Sequence, residues 1–149
     1  NSLNLEMAED ILGVKEEVAL LDPIAGNESL APDPDLIKDS AKLLGSAKNP
    51  LIVVGSGAMD AGKEIIEIAE MLQAPVTTLW SGKGVIDERH YLSQSNPAGH
   101  KLWSKADVIL AVGTRLSIPR IHWGIDAHLK IIHIDIDNEE DLKIARRMV

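Results

Sequence analysis

The nine residues Asn49–Gly57, Asn-Pro-Leu-Ile-Val-Val-Gly-Ser-Gly, decide the fold of this 149-residue chain. Pro50 opens an almost wholly apolar run, Leu51 to Val54, that shows no polar alternation. Such runs are typical of parallel strands that helices cover on both faces. Two glycines then form a turn, and an amphipathic stretch begins at Asp60. This order predicts the start of a βαβ unit, whose turn offers bare backbone N–H groups to a phosphate.

The composition indicates one domain with an aliphatic core. Apolar residues make up 45% of the chain and aromatic residues only 3%, which suits α/β packing. The net charge of −8 argues against a nucleic-acid or anionic-membrane surface. Because there is no cysteine, disulfides and thiolate chemistry are excluded. No apolar run approaches the ~20 residues of a membrane span and no signal peptide is visible, so we predict a cytoplasmic protein.

Hydrophobic periodicity divides the chain into an extended linker, residues 1–31, and a domain, residues 32–149. We predict helices at about 33–47, 60–73, 97–103 and from Asn138 onward. Strands are predicted at 50–54, 76–79, 91–93, 107–112 and 130–137, and residues 116–128 are predicted as a long connection. Because strands alternate with helices, the fold class is α/β, a doubly wound, Rossmann-like parallel sheet.

Four loops follow predicted strands, at the edge where doubly wound sheets bind ligands. Three of the loops carry glycines, where backbone must come close to something, and the fourth carries two carboxylates that suit ribose hydroxyls or an adenine amino group. Arg115 could neutralise a diphosphate. These loops together predict a nucleotide-shaped groove, with the candidate binding residues Gly55, Gly57, Gly82, Gly84, Gly113, Arg115, Asp135 and Asp137.

Each of these residues also has a purely structural explanation. Glycine after a buried parallel strand is often only a tight turn, Asp135 and Asp137 could belong to a helix N-cap region, and Arg115 could be a solvated loop cation. An NAD dehydrogenase is rejected on two grounds. Its fingerprint needs a third glycine where Asp60 stands, and an acid at the end of the second strand where Leu79 and Trp80 stand.

No catalytic apparatus is visible in the sequence. The five histidines lack metal-ligand spacing, and His133 is predicted to be a satisfied interior or edge imidazole. Ser56 is a turn residue and not part of a nucleophile elbow. The tryptophans Trp80, Trp103 and Trp123 are predicted to be packing residues, with Trp80 bordering the groove. We therefore predict neither a catalytic residue nor a metal ligand.

Several segments in a fixed order nevertheless resemble one family. They are Asn49–Gly57, Gly82-Lys83-Gly84, the run Ala106-Asp107-Val108-Ile109-Leu110-Ala111-Val112-Gly113-Thr114-Arg115-Leu116, and Ile132-His133-Ile134-Asp135-Ile136-Asp137. The pattern resembles the central domain of thiamine-diphosphate-dependent 2-oxoacid enzymes, with acetolactate synthase large subunits nearest. The resemblance covers about residues 32–140.

The resemblance implies a parent chain of three domains, of which this is the middle one. Residues 1–31 would be the linker with a remnant of the preceding pyrimidine-binding domain. The sheet would have the strand order 3-2-1-4-5, with a sixth strand truncated. Thiamine diphosphate and Mg²⁺ would be bound in the parent by a first-domain glutamate and a third-domain Gly-Asp-Gly…Asn motif. Neither motif is in this sequence, so the chain alone should be non-catalytic.

The resemblance also implies what the groove could hold. In acetolactate synthases the central domain holds FAD, in oxalyl-CoA decarboxylases it holds ADP, and in several decarboxylases it holds nothing. The matching positions are the eight candidate residues given above. The synthases usually follow the loop arginine with Phe-Asp-Asp-Arg, and here Leu116-Ser117-Ile118-Pro119-Arg120 stands instead. A free-standing nucleotide-binding module and a spacer with an empty groove are the alternatives.

The resemblance also suggests partners. The other domains of the parent chain would pack against this one. An uncovered strand at Lys130–Asp137 would invite pairing with a second copy, so we predict a homo-oligomer.

Overall fold

A computed structural model describes residues 33–124 and 127–135 of the chain. The predicted linker at 1–31, the carboxylate of Asp137 and the helix predicted from Asn138 lie outside these residues. Within them the elements are α1 (Pro34–Gly45), β1 (Pro50–Val54), α2 (Gly62–Leu72), β2 (Val76–Thr78), β3 (Ser93–Gln94), α3 (Asn96–Trp103), β4 (Val108–Val112) and β5 (Lys130–Ile134).

The strands of the described residues form one parallel sheet in the order β3-β2-β1-β4-β5. This confirms the predicted fold class and strand order. Strand β1 lies at the centre, and its alternate side chains point to opposite faces. Ile52 and Val54 pack with Ile65 and Ala69 of α2, whereas Leu51 and Val53 pack in the cluster that contains Trp103 of α3. Both faces are therefore covered, which explains the unbroken apolar run in the sequence.

The three described helices begin within two residues of their predicted starts, at Pro34, Gly62 and Asn96. Helix α1 is capped by Asp33, whose carboxylate accepts the Asp35 N–H at 2.9 Å, and Pro34 occupies the first turn. Helix α2 begins at Gly62 and not at Asp60, because a short 3₁₀ helix, Ser56–Ala61, takes up the preceding residues. The α2 helix ends on Gln73 in the left-handed conformation (φ 50°).

The connection after β4 contains a helical turn that the sequence analysis did not predict. Residues Pro119–Trp123 form a π-helical turn. A hydrogen bond and a ring contact hold this connection to α3. Trp103 Nε1–H donates to the Gly124 carbonyl at 2.7 Å, and the Trp103 and Trp123 rings meet edge to face with centroids 5.6 Å apart. These are tertiary contacts between residues about 20 positions apart, so no local pattern announces them.

Asp107 lies just before β4 and links the starts of two neighbouring strands. Its carboxylate accepts the backbone N–H groups of Lys48 at 2.7 Å and Asn49 at 2.9 Å. Burial raises the pKa of Asp107, but the N–H donors of Lys48, Asn49, Asp107 and Val108 together outweigh it and hold that pKa below its usual 3.8. Asp107 thus joins the entry of β1 to the entry of β4.

Among the described helices, none combines the length and the apolar character that crossing a bilayer requires.

Candidate functional site

The carboxyl ends of four neighbouring strands lie side by side. Val54 is paired with Thr78 of β2 and Val112 of β4, and Val112 is paired with Ile134 of β5. The residues that follow these strands therefore share one edge of the sheet, as predicted for a doubly wound fold. We call this edge the carboxyl rim and define it as Gly55–Ala61, Leu79–Gly84, Gly113–Ile118 and Asp135.

The described candidate residues all lie on the carboxyl rim, but most of its glycines face the chain itself. A Cβ atom on Gly55 would lie 2.3 Å from the Gly113 carbonyl oxygen, and one on Gly82 would lie 2.6 Å from the Val54 carbonyl oxygen. Gly113 has φ +59°, and a Cβ there would lie 2.3 Å from the Ala58 nitrogen. These glycines allow the backbone of one loop to touch the backbone of the next.

The same loops use their N–H groups internally. Gly55 N–H donates to the Val112 carbonyl at 3.0 Å, Gly57 N–H to the Gly113 carbonyl at 3.0 Å, and Gly113 N–H to the Ile134 carbonyl at 2.8 Å. Gly82 N–H donates to Leu79 at 2.8 Å. The expectation that this turn presents bare N–H groups is therefore wrong for Gly55 and Gly57, because parallel ladder bonds and loop contacts engage them.

Gly84 differs from the other candidate glycines. It has φ +93°, and a Cβ built on it would have nothing within 4 Å. The backbone conformation explains why glycine stands at this position, since residues with a side chain rarely adopt that φ angle. Of the five candidate glycines, Gly84 is therefore the one whose surroundings leave room for a ligand.

The loop after β4 turns Arg115 toward solvent. Leu116 adopts a left-handed conformation, φ 51°, although its side chain is large and only 2% exposed. Thr114 Oγ1 accepts the Leu116 N–H at 3.1 Å, and the Leu116 carbonyl accepts the Arg120 N–H at 2.9 Å. The side chain of Leu116 is buried, whereas that of the preceding residue, Arg115, is exposed. A non-glycine residue in this conformation stores strain that its surroundings must hold.

Asp135 lies at the end of β5, beside a histidine. Its Oδ2 atom is 3.7 Å from Nε2 of His133, and both side chains are 10% exposed. The same Nε2 contacts the backbone carbonyl oxygen of Thr114. His133 is thus a satisfied imidazole, as predicted, and it stands between the loop after β4 and the end of β5. Asp137 lies outside the described residues.

Trp80 is an exception to the packing role predicted for the tryptophans. Trp103 is buried at 3% exposure, whereas Trp80 is 80% exposed at the end of β2. Met59, on the neighbouring loop, is 51% exposed. The sequence contained one signal for this difference, namely that Trp80 directly follows a strand and precedes a glycine loop.

The carboxyl rim brings together a cationic, an acidic and an aromatic side chain, Arg115, Asp135 and Trp80. An exposed guanidinium, a carboxylate and an exposed indole suit a diphosphate, a ribose and a flat ring. In the part of the chain that the structure describes, no group of three histidine or acidic side chains could hold a metal ion. The Gly-Asp-Gly sequence expected for thiamine diphosphate and Mg²⁺ occurs nowhere in the chain.

The described strands and helices together define a doubly wound α/β domain with a parallel sheet. Residues 37–147 match the family model described as thiamine pyrophosphate enzyme, central domain. The chain belongs to this family, as the ordered segments predicted.

Relatives carry several different enzyme names. The chain is 38% identical over 129 residues to the probable acetolactate synthase large subunit of Methanococcus aeolicus, covering 78% of this chain and 21% of that protein. It is 31% identical over 118 residues to the oxalyl-CoA decarboxylase of Escherichia coli K12, covering 75% and 20%. The chain thus spans about a fifth of the length of the curated relatives it matches.

A solved structure shares the fold. It is that of a protein from Mycobacterium smegmatis assigned as a thiamin diphosphate-dependent enzyme, with a TM-score of 0.62 and 22% sequence identity. The match covers 84% of this chain and 27% of that one. At this identity the likeness establishes the fold alone.

Proposed function

We propose that this domain is the non-catalytic scaffold of a thiamine-diphosphate-dependent enzyme and binds the ADP portion of a nucleotide, as ADP or as part of FAD, at its carboxyl rim. One observation carries the proposal. Arg115 is exposed on the loop after β4, and Asp135 directly follows β5, the strand paired with β4, so a cation and a carboxylate lie on neighbouring segments of the carboxyl rim. Guanidinium groups bind diphosphates bidentately, and carboxylates accept ribose hydroxyls.

Within this proposal each candidate residue has a distinct role. Gly55, Gly57, Gly82 and Gly113 allow close backbone packing within the rim, and Gly84 leaves open space beside the backbone. Arg115 would bind the diphosphate, and Asp135 and Asp137 would bind the ribose or the adenine. Trp80, which is highly exposed, offers a face for a flat ring.

A second candidate, a structural spacer with an empty groove, also has an observation in its favour. The N–H groups of four rim glycines already donate to carbonyls of the chain. A phosphate site of the usual glycine-loop kind would need such donors. The two candidate functions therefore make different predictions: a nucleotide would contact Arg115 if the rim is a binding site, and no nucleotide would bind if the domain is a spacer.

Titration of the 149-residue chain with ADP, FAD and NAD separates these candidates. Ligand at 100-fold its dissociation constant should raise the free energy of unfolding by about 2.7 kcal/mol when only the native state binds. We expect ADP and FAD to raise the midpoint of thermal unfolding. No shift with any of the three would favour the spacer, and a shift with NAD alone would contradict the proposal.

A matched pair of variants tests the role of Arg115. Arg115→Gln removes the rim cation and should abolish most of the shift with ADP. Arg89→Gln removes the same charge from an exposed turn just before β3, at the other end of the sheet, where Arg89 contacts Asp87 at 2.7 Å. Arg89→Gln should leave the ADP shift unchanged. Equal loss in both variants would indicate nonspecific charge attraction.

For the whole protein we propose a cytoplasmic transferase or lyase that decarboxylates or joins 2-oxo acids, or an acyl-CoA analogue, through thiamine diphosphate. The names of the relatives support this proposal. When bound, the thiamine cofactor supplies the carbanion chemistry, with Mg²⁺ holding its diphosphate, and other domains would bind both. Assay of the full-length protein with pyruvate and with oxalyl-CoA, with and without thiamine diphosphate, tests it. Turnover without thiamine diphosphate would contradict it.

A further inference from the structure

We infer that His133 is a positioning residue, which fixes the loop after β4 and so aims Arg115 at the nucleotide diphosphate. The inference rests on the proposed nucleotide site. It begins from one contact, between Nε2 of His133 on β5 and the backbone carbonyl oxygen of Thr114. Because a carbonyl oxygen can only accept, this nitrogen must carry the hydrogen.

The contact acts at the point where the loop is strained. Thr114 is 8% exposed and lies between Gly113, with φ +59°, and the residues Arg115 and Leu116. The left-handed conformation of Leu116 is unfavourable for a residue with a side chain, and the surroundings must oppose that cost. His133 holds the carbonyl of Thr114, while Oγ1 of the same residue holds the Leu116 N–H at 3.1 Å.

Two further contacts complete the support. The Leu116 carbonyl accepts the Arg120 N–H at 2.9 Å, and the Gly113 carbonyl accepts the Gly57 N–H at 3.0 Å. The loop is therefore held on both sides of Arg115. Among the contacts described, His133 is the one side chain of strand β5 that donates a hydrogen bond to this loop. Removing that donor would leave the partly buried Thr114 carbonyl without it and release the loop toward less strained conformations.

Two amide variants distinguish the ring nitrogens. In His133→Gln the side-chain NH₂ lies at about the reach of Nε2 and can still donate to Thr114. In His133→Asn it lies at the position of Nδ1 and cannot. Both variants replace an imidazole by a neutral amide, so they disturb the sheet similarly. We expect Gln to keep the dissociation constant for ADP within about threefold and Asn to raise it about tenfold, which corresponds to 1.4 kcal/mol.

A double variant tests whether the effect passes through Arg115. If His133 acts by aiming Arg115, the variant His133→Asn should not weaken ADP binding further once Arg115→Gln is present. Binding of adenosine, which has no phosphate, should be the same in the wild type and in His133→Asn. Additive losses, or an equal loss for adenosine, would show a merely structural role and overturn the inference.

A measurement without nucleotide keeps the inference separate from the proposed site. The Leu116 amide should exchange with solvent at least tenfold faster in His133→Asn than in His133→Gln, while Val53 in β1 exchanges alike in both. If wild-type chain binds no ADP, the proposed function fails, and Leu116 exchange still decides whether His133 positions the loop. Equal exchange in the two variants would overturn the inference.

Discussion

The Gly55 backbone lies so close to Gly113 that a Cβ atom on Gly55 would stand 2.3 Å from the carbonyl oxygen of Gly113. The same Cβ would stand 2.7 Å from Cβ of Thr114. Neither neighbour is the movable end of a flexible side chain. The loops after β1 and β4 are therefore in backbone contact, and this contact depends on the absence of a side chain.

The first prediction concerns this contact. Gly55→Ala should lower the free energy of unfolding by about 1–3 kcal/mol or more. The added methyl group would clash with the backbone of Gly113, and the loops after β1 and β4 would have to move apart to make room for it. Urea denaturation measures the change. Gly45→Ala is the matched control, since Gly45 ends α1 and a Cβ there meets nothing within 4 Å.

For the control we expect a gain of about 0.5–1 kcal/mol, because alanine is a better helix former than glycine. A Gly55→Ala variant as stable as the wild type would show that the loops after β1 and β4 are not in fixed contact.

The second prediction concerns Asp107 and acid. Its folded-state pKa is held below 3.8, so its contribution to stability is present above that pH and is lost as pH falls through the folded-state pKa. Asp107→Ala should destabilise the domain by about 1–3 kcal/mol near neutral pH, because two N–H groups lose their acceptor. The difference between variant and wild type should shrink below pH 3.8.

Thermal unfolding at several pH values measures both effects. Asp39→Ala is the control, because Asp39 is 73% exposed and pairs with Lys42 on the surface of α1. That pair should contribute no more than about 0.5 kcal/mol. A loss that is the same at neutral and acid pH would assign the role of Asp107 to packing instead of charge.

The third prediction separates two tryptophans. Trp80→Ala should change stability by no more than about 0.5 kcal/mol, because its side chain is 80% exposed, whereas Trp103→Ala should cost about 3–5 kcal/mol. Iodide should quench the fluorescence of wild-type chain and quench Trp80→Phe distinctly less. If ADP or FAD binds at the rim, it should protect Trp80 from iodide. Quenching unchanged by Trp80→Phe would place Trp80 in contact with other residues.

The fourth prediction concerns association. Within the described residues, β5 is paired with β4 on one side only, and Ile134 is 55% exposed. We predict that two copies associate along Lys130–Asp137, and that Ile134→Lys weakens the association at least tenfold, because a charge would be buried at the contact. Ile121→Lys, on the exposed π-helical turn at 74% exposure, is the control. Light scattering over a range of concentrations measures it, and a monodisperse wild-type monomer would count against it.

The sheet was predictable because its signal is local. Strands β1 and β4 are runs of consecutive apolar residues followed by glycine, and their burial on both faces needs no knowledge of distant contacts. Strand β5 is a mixed run, with Lys130 and His133 among its isoleucines, and only Ile131 and Ile132 are buried. The strand order came from the family resemblance. The predicted third strand begins two residues before β3, because Ser93 and Gln94 carry no apolar pattern and are strand residues through their pairing with β2.

The site was predictable in position and less so in the roles of its parts. A glycine that faces a ligand and a glycine that faces another glycine look the same in one sequence, so the contact of Gly55 with Gly113 could not be foreseen. The left-handed Leu116 and its support by His133 arise between β4 and β5, about 20 residues apart. The sequence alone favours a packing role for Trp80, because tryptophan side chains are highly buried on average.

The interlocked glycines also limit how this domain can be recombined with its relatives. Since the turn after β1 is in backbone contact with the turn after β4, exchanging either segment alone for the corresponding segment of an acetolactate synthase or an oxalyl-CoA decarboxylase would place a new backbone path against an unchanged neighbour. Chimeras in this family should therefore keep their foldability when both turns are transplanted as a set, and lose it when they are moved one at a time.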